Sequence, residues 1–436
     1  MHSLNSANWF KILSMNILLI NQPLNNRGDE SAHKALVRRI LESRPDVMIT
    51  CIWVAVENII NNDNIESFKV KNPRIKYQII QPYGFWKASS IYIRLLHYYM
   101  KTRSMWICKI YPTFHKLLSY YKSADLVFCA PGGICMGGFQ DWRHLFMLSL
   151  AKDLNKPLIY YGRSFGPFPE VTSSNRDFKK ISLEMLNYFS FLSIRDNKTE
   201  ELAKTLKLKK YYVTVDSAFL SSVRVQIPNE LRSKIDTNDY IVFVPNSLIW
   251  HFAYKDKVSY SSVLKFYCTL LDIMFKYYQN SHIIMLPQTF GRKDRLGNDV
   301  NLFRDIAKKY NDNRLVVIED KYDSDVQQSI ISKAKFVCGA RYHSIVFAIN
   351  QSRPFIALSY EHKIAGLLKT LGCSDKMIDI TDSFNSEVNM QKTVMLFETQ
   401  LQNLSFNFAI TDKAKKISSS CFDNLLSYFD NFTDAR

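Results

Sequence analysis

The chain has 436 residues, 47% hydrophobic and 22% charged, which is a globular composition too long for one ordinary core and suited to two domains of roughly 200 residues. A formal net charge of +17 points to anionic partners: nucleic acid, anionic lipid headgroups or phosphorylated small molecules. No apolar run approaches the ~18 residues of a membrane-crossing helix, and the eight scattered cysteines form no CxxC pair, which argues against a disulfide frame or a zinc site and for buried thiols in a reducing compartment.

The first fourteen residues show no apolar core or cleavage motif of a secretory leader, and Met15 is a plausible alternative start because MNILLINQ reads as a first strand. Short apolar or β-branched runs then alternate with amphipathic stretches, the signature of βα units and parallel sheets. In chain order the predicted strands are 16–21, 47–53, 126–130, 157–162, 191–195 and 212–216, followed by a second series at 240–246, 282–288, 314–319, 336–340 and 354–360. Helical patterns include 31–43 and 199–207, and the last residues, from 401, read as helix. Polar, Pro-containing sequence at 221–238 marks the seam. The expected fold class is α/β: two doubly wound Rossmann-like domains, 1–225 and 226–400, facing each other across a cleft, with a helical tail at 401–436. Ligands of such sheets bind beyond the carboxyl ends of the strands.

The motifs fall at those ends. After the first strand, NQPLNNRGDESAHKAL places Asn25, Gly28 and Asp29 in a tight turn before a helix expected from Ser31, with Asp29 either an N-cap or a base. APGGICMGGFQDW carries Gly132, Gly133, Gly137 and Gly138, which let backbone approach a ligand, although the run is neither a Walker A loop nor GxGxxG. Arg163 follows in YYGRSFGPF, then Arg195 and Asp196 in LSIRDNKTEEL, and Asp216 in YVTVDSAF. Asp196 is accounted for as a helix cap, whereas an arginine at a strand terminus must find a partner or water. In the second half Asn246 and Gln288 end strands, and a charged loop carries Arg292, Asp294 and Asp299. In CGARYHSIVFAIN, Arg341 and His343 open a helix whose buried face is SIVFAI; an isolated RxH is a structural feature more often than a site. Lys363, just past the next strand, brings a third cation to the same side and favours an anion site.

One segment stands apart. Residues 83–122 hold seven Lys or Arg, eleven aromatics and no Asp or Glu. That composition suits a membrane interface, with a nucleic-acid groove and a plain aromatic core helix with a basic outer face as the alternatives.

The ordered set NxxxNRGDE, PGG, GRSFGP, SIRD, VDSAF, LPQTFG and GARYHSIVFA…PFIALSYEHK resembles the polysaccharide pyruvyl transferase family over residues 15 to 372. The resemblance implies a fold like that of GT-B glycosyltransferases. It also implies transfer of the pyruvyl unit of phosphoenolpyruvate to a sugar, usually as a cyclic ketal across two hydroxyls, without metal or other cofactor. By that resemblance Arg341 and His343 match the donor-binding RxH and Arg195 a further basic cleft position, while Asp29 and its glycine turn match the N-terminal motif. Lys363 joins the donor grip. His343 becomes the acid at the enol methylene and Asp29 the base on a sugar hydroxyl. Asn25, Gly28, Gly132, Gly133, Arg163, Asn246 and Gln288 are left as cleft or acceptor candidates. The basic aromatic segment suits a polyprenyl-diphosphate-linked acceptor on the cytoplasmic face of a membrane, giving a cytoplasmic, peripheral protein. The rival readings are a GT-B glycosyltransferase using a nucleotide sugar and a non-catalytic membrane- or nucleic-acid-binding protein.

Overall fold

The computed structural model describes residues 14–24, 26–55, 62–83, 88–133, 135–138, 140–235, 239–251, 254–255, 257–291, 297–310 and 312–434. Asn25, Arg292 and Asp294 lie outside them.

The first half forms a seven-stranded parallel sheet from β1 (Met15–Ile20), β2 (Val47–Val54), β3 (Ile75–Ile80), β4 (Leu126–Cys129), β5 (Leu158–Arg163), β6 (Phe191–Ile194) and β7 (Tyr212–Val213). Its order is β3-β2-β1-β4-β5-β6-β7. The second half forms a six-stranded parallel sheet from β8 (Tyr240–Val244), β9 (His282–Met285), β10 (Leu315–Val317), β11 (Val337–Gly339), β12 (Phe355–Ser359) and β13 (Met377–Asp379), in the order β10-β9-β8-β11-β12-β13. Strands β4, β5, β8 and β12 are buried at every position. Both faces of these sheets are covered, so the central strands read as continuous apolar runs rather than alternating ones.

Helices of the first half are α1 (Arg27–Ser43), α2 (Asn62–Phe68), α3 (Ala88–Thr102), α4 (Met105–Ile110), α5 (Pro112–Ser123), α6 (Trp142–Asp153), α7 (Ser173–Tyr188) and α8 (Asn197–Thr205). Those of the second are α9 (Asn229–Lys234), α10 (Tyr260–Tyr277), α11 (Asp299–Ala307), α12 (Ser324–Ile331), α13 (Tyr342–Asn350), α14 (His362–Leu371) and α15 (Glu387–Gln402), followed by α16 (Phe408–Asp434). The terminal helix begins in the second half's core with Ile410 and Ala414 and ends in the first half's, where Cys421, Phe422, Leu425 and Phe429 pack with Ile17, Leu19 and Phe191.

One expectation needs correction. Helix α1 starts at Arg27 rather than Ser31, because Asn26 caps it by accepting from Gly28 N at 2.7 Å; Asp29 therefore sits in the first turn and is not the cap. Much of the aromatic content of 83–122 is core: Tyr92, Tyr99, Phe114 and Tyr121 are fully buried, packing around Phe146 of α6 or beside its neighbour Met147.

The two halves are joined by buried charge. Glu30 lies 2.6 Å from Arg27 and 3.0 Å from Lys34, and its other contact is the backbone N–H of Ser324 at 2.7 Å. Lys34 also reaches Asp323 and Asp325 at 3.2 and 3.4 Å, and Arg38 pairs with Asp325 at 2.5 Å. Burial alone would depress the Lys34 amine, but Glu30, Asp325 and Asp323 outweigh it and hold its pKa above the ordinary value. This network fixes α1 against α12 and so sets the cleft.

Candidate active site

Both sheets reverse their strand order next to the first strand of each half, between β1 and β4 and between β8 and β11. Loops leaving the carboxyl ends of strands at and beside those switch points face one another and line a cavity of about 110 Å³. Its walls come from Asn26 and Asp29 after β1, Gly133 after β4, Arg195 after β6, Trp250 after β8, Gln288 and Thr289 after β9, Arg341, Tyr342 and His343 after β11, and Tyr360, Glu361 and Lys363 after β12. Backbone of the two halves touches here: Arg27 N donates to the Gln288 carbonyl at 2.9 Å, and Asn26 bridges to Thr289.

His343 is held between the halves. Its Nε2 lies 3.3 Å from Asp216 Oδ2, close enough for charge pairing though not aligned as a hydrogen bond. Its Nδ1 edge lies against Gly28, where an added Cβ would fall 1.8 Å from Nδ1. Gly28 is thus needed for the approach of the ring and not for a turn. Asp216, fully buried, also accepts from Arg195 Nη1 and from Ala218 N at 3.0 Å. Burial would raise its carboxyl pKa, but Arg195 and then His343 outweigh that and bring it down to about 2. Arg195 stacks on the Tyr342 ring at 5.0 Å.

The other two cations are fixed in the same manner. Arg341 turns its Nε and Nη2 edge to Asp299, with Nε at 3.1 Å, and stacks on Trp250 at 5.5 Å. Asp299 in turn accepts from Gln288 N and Thr289 N at 3.0 and 2.9 Å. Lys363 Nζ is 3.2 Å from Glu361, whose other oxygen lies 3.6 Å from His251 Nε2. Burial would raise the Glu361 carboxyl, but Lys363 and His251 outweigh it and hold it well below the usual carboxylate range. Each cation is therefore pre-oriented by a carboxylate behind it, which lowers the ordering cost of gripping a small ligand.

Two further donors face the cavity. Helices α13 and α14 begin there, with Arg341 and Glu361 as N-caps, and neither side chain caps its helix; apart from Ser344 N, which donates to the Arg341 carbonyl at 3.0 Å, their first-turn N–H groups and positive dipole ends remain for an anion. Gln288 Nε2 is buried without a partner among the described residues, a donor set for an acceptor oxygen. Among the described residues no cluster of His, Cys, Asp or Glu could hold a metal.

Of the sequence candidates, Asp29, Gly133, Arg195, Gln288, Arg341, His343 and Lys363 line this cavity, and Gly28 touches His343. Arg163 and Asn246 do not. Arg163 is wholly buried and donates to the Ala130 and Gly133 carbonyls at 2.5 and 3.1 Å, so it braces the glycine loop from behind. Asn246 is equally buried and accepts from Trp250 Nε1 at 2.8 Å, positioning the indole under Arg341. Gly132 is shaped by Pro23, 2.8 Å from where its Cβ would fall, and Gly137 lies against the Gly166 backbone. Asp216 and Asp299 were legible as polar residues near strand ends, but not as the partners that orient His343 and Arg341. Trp250 and Tyr342 carried no signal in the sequence.

Solved structures share the architecture at low identity. A UDP-bound MnaA from S. aureus matches with a TM-score of 0.55 at 10% identity, over 96% of this chain and 97% of its own. The UDP-GlcNAc 2-epimerase of Methanocaldococcus jannaschii matches with a TM-score of 0.53 at 13% identity, over 95% and 99%. At that identity the likeness establishes the GT-B-like fold and nothing of the substrate. The family model described as polysaccharide pyruvyl transferase matches residues 26–362, a span that starts at the cap of α1 and ends at the first residue of α14 and so contains every cavity wall but Lys363. The chain belongs to the polysaccharide pyruvyl transferase family, and its reaction is the phosphoenolpyruvate-dependent transfer of a pyruvyl unit to a sugar.

Proposed function

We propose that the enzyme forms a cyclic pyruvate ketal on a sugar of a polyprenyl-diphosphate-linked glycan at the cytoplasmic leaflet. The observation that supports it most is the convergence of Arg195, Arg341, Lys363, the buried Gln288 Nε2 (without a partner among the described residues) and two helix N-termini without side-chain caps on one small cavity that also holds His343 and Asp29. Phosphoenolpyruvate is small and carries two anionic groups, which matches planar guanidinium forks and helix ends better than it matches a nucleotide.

In this reading Arg341, Lys363 and the N-termini of α13 and α14 hold the phosphate, and Arg195 with Gln288 holds the carboxylate. His343, its imidazolium supported by Asp216 at 3.3 Å, gives a proton to the enol methylene carbon, leaving C2 electron-poor. A sugar hydroxyl adds to C2 while Asp29 takes its proton. The bond from C2 to the phosphate oxygen then breaks and phosphate leaves, carrying a proton that Asp29 had accepted. A second hydroxyl, held beside the first, closes the ketal and its proton restores His343. The two hydroxyl protons thus end on His343 and on phosphate.

The test is thermal-shift titration of the full chain with phosphoenolpyruvate and, separately, with UDP-sugars, followed by phosphate release with a lipid-linked glycan acceptor. Stabilisation by phosphoenolpyruvate that vanishes in Arg341→Ala is expected. Stabilisation by a UDP-sugar alone would overturn the reading.

A further inference from the structure

Helices α3, α4 and α5 pack one face into the core and leave the other uncovered. The uncovered face carries Ile91, Tyr98, Trp106 and Ile110, which are 41, 51, 64 and 53% exposed. Around them lies a groove of about 360 Å³ lined by Leu95, Tyr98, Trp106, Ile107, Ile110 and Tyr111. Water-facing Trp and Ile side chains grouped in this way mark a contact surface and not scattered surface residues.

The charges around the groove decide its occupant. Arg94, Lys101, Lys109, Lys116 and Lys122 are exposed on the same three helices, and residues 83–122 contain no Asp or Glu. Of the acids on helices packed nearby, Asp153 pairs with Arg103 at 3.2 Å and accepts from Tyr99, Glu184 pairs with Lys152 and Arg103, and Asp177 lines a neighbouring groove with Lys101. An apolar aromatic centre ringed by cations on helices that carry no acid complements an anionic bilayer, where Trp and Tyr settle at headgroup level and lysines meet lipid phosphates.

The placement also connects to the chemistry. α3 packs on the start of α6 through His97 against Trp142 (5.6 Å) and Tyr99 against Phe146 (5.2 Å). Asp141, the cap of α6, ends the glycine loop that supplies Gly133 to the cavity.

We infer that the exposed face of α3 and α4 is a docking surface for anionic lipid bilayer, with Tyr98, Trp106 and Ile110 entering the headgroup region and Arg94, Lys101 and Lys109 pairing with lipid phosphates. This deepens the proposal of a lipid-linked acceptor and rests on it for its purpose. It assigns the membrane contact to this face alone.

The experiment is co-sedimentation of the full chain with vesicles of phosphatidylcholine alone and with 30% phosphatidylglycerol, at low and high salt, alongside size-exclusion light scattering. Wild type should pellet with the anionic vesicles and be released by salt. Trp106→Ser with Ile110→Ser should weaken binding at least tenfold, and Lys101→Glu with Lys109→Glu by roughly fivefold for each lysine. Absence of wild-type binding, binding unchanged in both variants, or a dimer that disappears in Trp106→Ser with Ile110→Ser would each overturn the inference. Phosphoenolpyruvate thermal shift on the same samples separates it from the catalytic reading. The surface variants should keep that response, and a wild type that binds vesicles without it would strike the catalytic proposal alone.

Discussion

Replacing Gly28 by alanine tests the cleft at one atom. The new Cβ would lie 1.8 Å from His343 Nδ1 and 1.9 Å from Cγ, both in the ring and not at a flexible tip. Ordinary contact needs about 3.4 Å, so the imidazole must retreat by about 1.6 Å or the halves must part by as much, and misplacement of a reacting group by 1 Å can cost 10²-fold. Loss of a positioned general acid costs 10²–10⁴-fold, so a kcat reduction of about that size is expected. Stability should change little from helix propensity itself, because alanine is favoured over glycine by up to about 1 kcal/mol within a helix and Gly28 occupies the first turn of α1. The assay is phosphate release from phosphoenolpyruvate with acceptor, for Gly28→Ala, His343→Ala and the double variant. If the alanine acts by displacing His343, the double variant loses no more than His343→Ala alone. Wild-type turnover in Gly28→Ala, or fully additive losses, would refute the reasoning.

Asp216→Asn keeps shape but removes the charge that Arg195 and His343 share, and kcat should fall at least 100-fold with a folded protein by circular dichroism. Because the folded carboxyl is lowered from 3.8 to about 2, its stabilisation of about 2 kcal/mol is complete above pH 4 and is lost as pH falls towards 2; acid unfolding of the asparagine variant should lack that component. His33 is buried, and burial, then Lys34 and Arg38, lower its pKa to about 3. The unfolded chain binds its proton first, so stability should fall by about 5 kcal/mol as pH drops from 6.5 to 3, and His33→Phe should flatten urea midpoints measured across that range. Glu30→Ala takes from Arg27 its buried carboxylate and leaves Lys34 with Asp323 and Asp325 only, and should cost about 3 kcal/mol in chemical denaturation, with Glu30→Gln milder.

Most of the architecture was legible because buried parallel strands announce themselves as apolar runs. The strands that escaped notice are β3, IKYQII, and β13, three residues long; both lie at sheet edges, where one side meets solvent and the apolar run is interrupted or cut short. The predicted strands overran their ends, as at 212–216, where pairing stops at Val213 and Asp216 turns into a short 3-10 helix. The aromatic segment 83–122 could not be divided by composition alone. Spacing along α3 buries Tyr92, Tyr99 and Leu96 and exposes Tyr98 and Ile91, and only the packed helices show which face is covered.

The sequence by itself determined the alternation of all but two strands with helical stretches, and with it that Arg195, Arg341, His343 and Lys363 stand at strand ends on one side of two sheets. Local periodicity decides that much. It could not separate Arg195, which reaches the cavity, from Arg163, which ends a neighbouring strand with the same signal and is buried behind the glycine loop. Nor could it say that Gly28 exists to admit a histidine from the other half, or that Asp216 binds both Arg195 and His343. The Arg195–Asp216 pair forms within the first half by the packing of neighbouring strand ends, whereas the contacts of His343 with Asp216 and Gly28 come into being only when the halves close on each other.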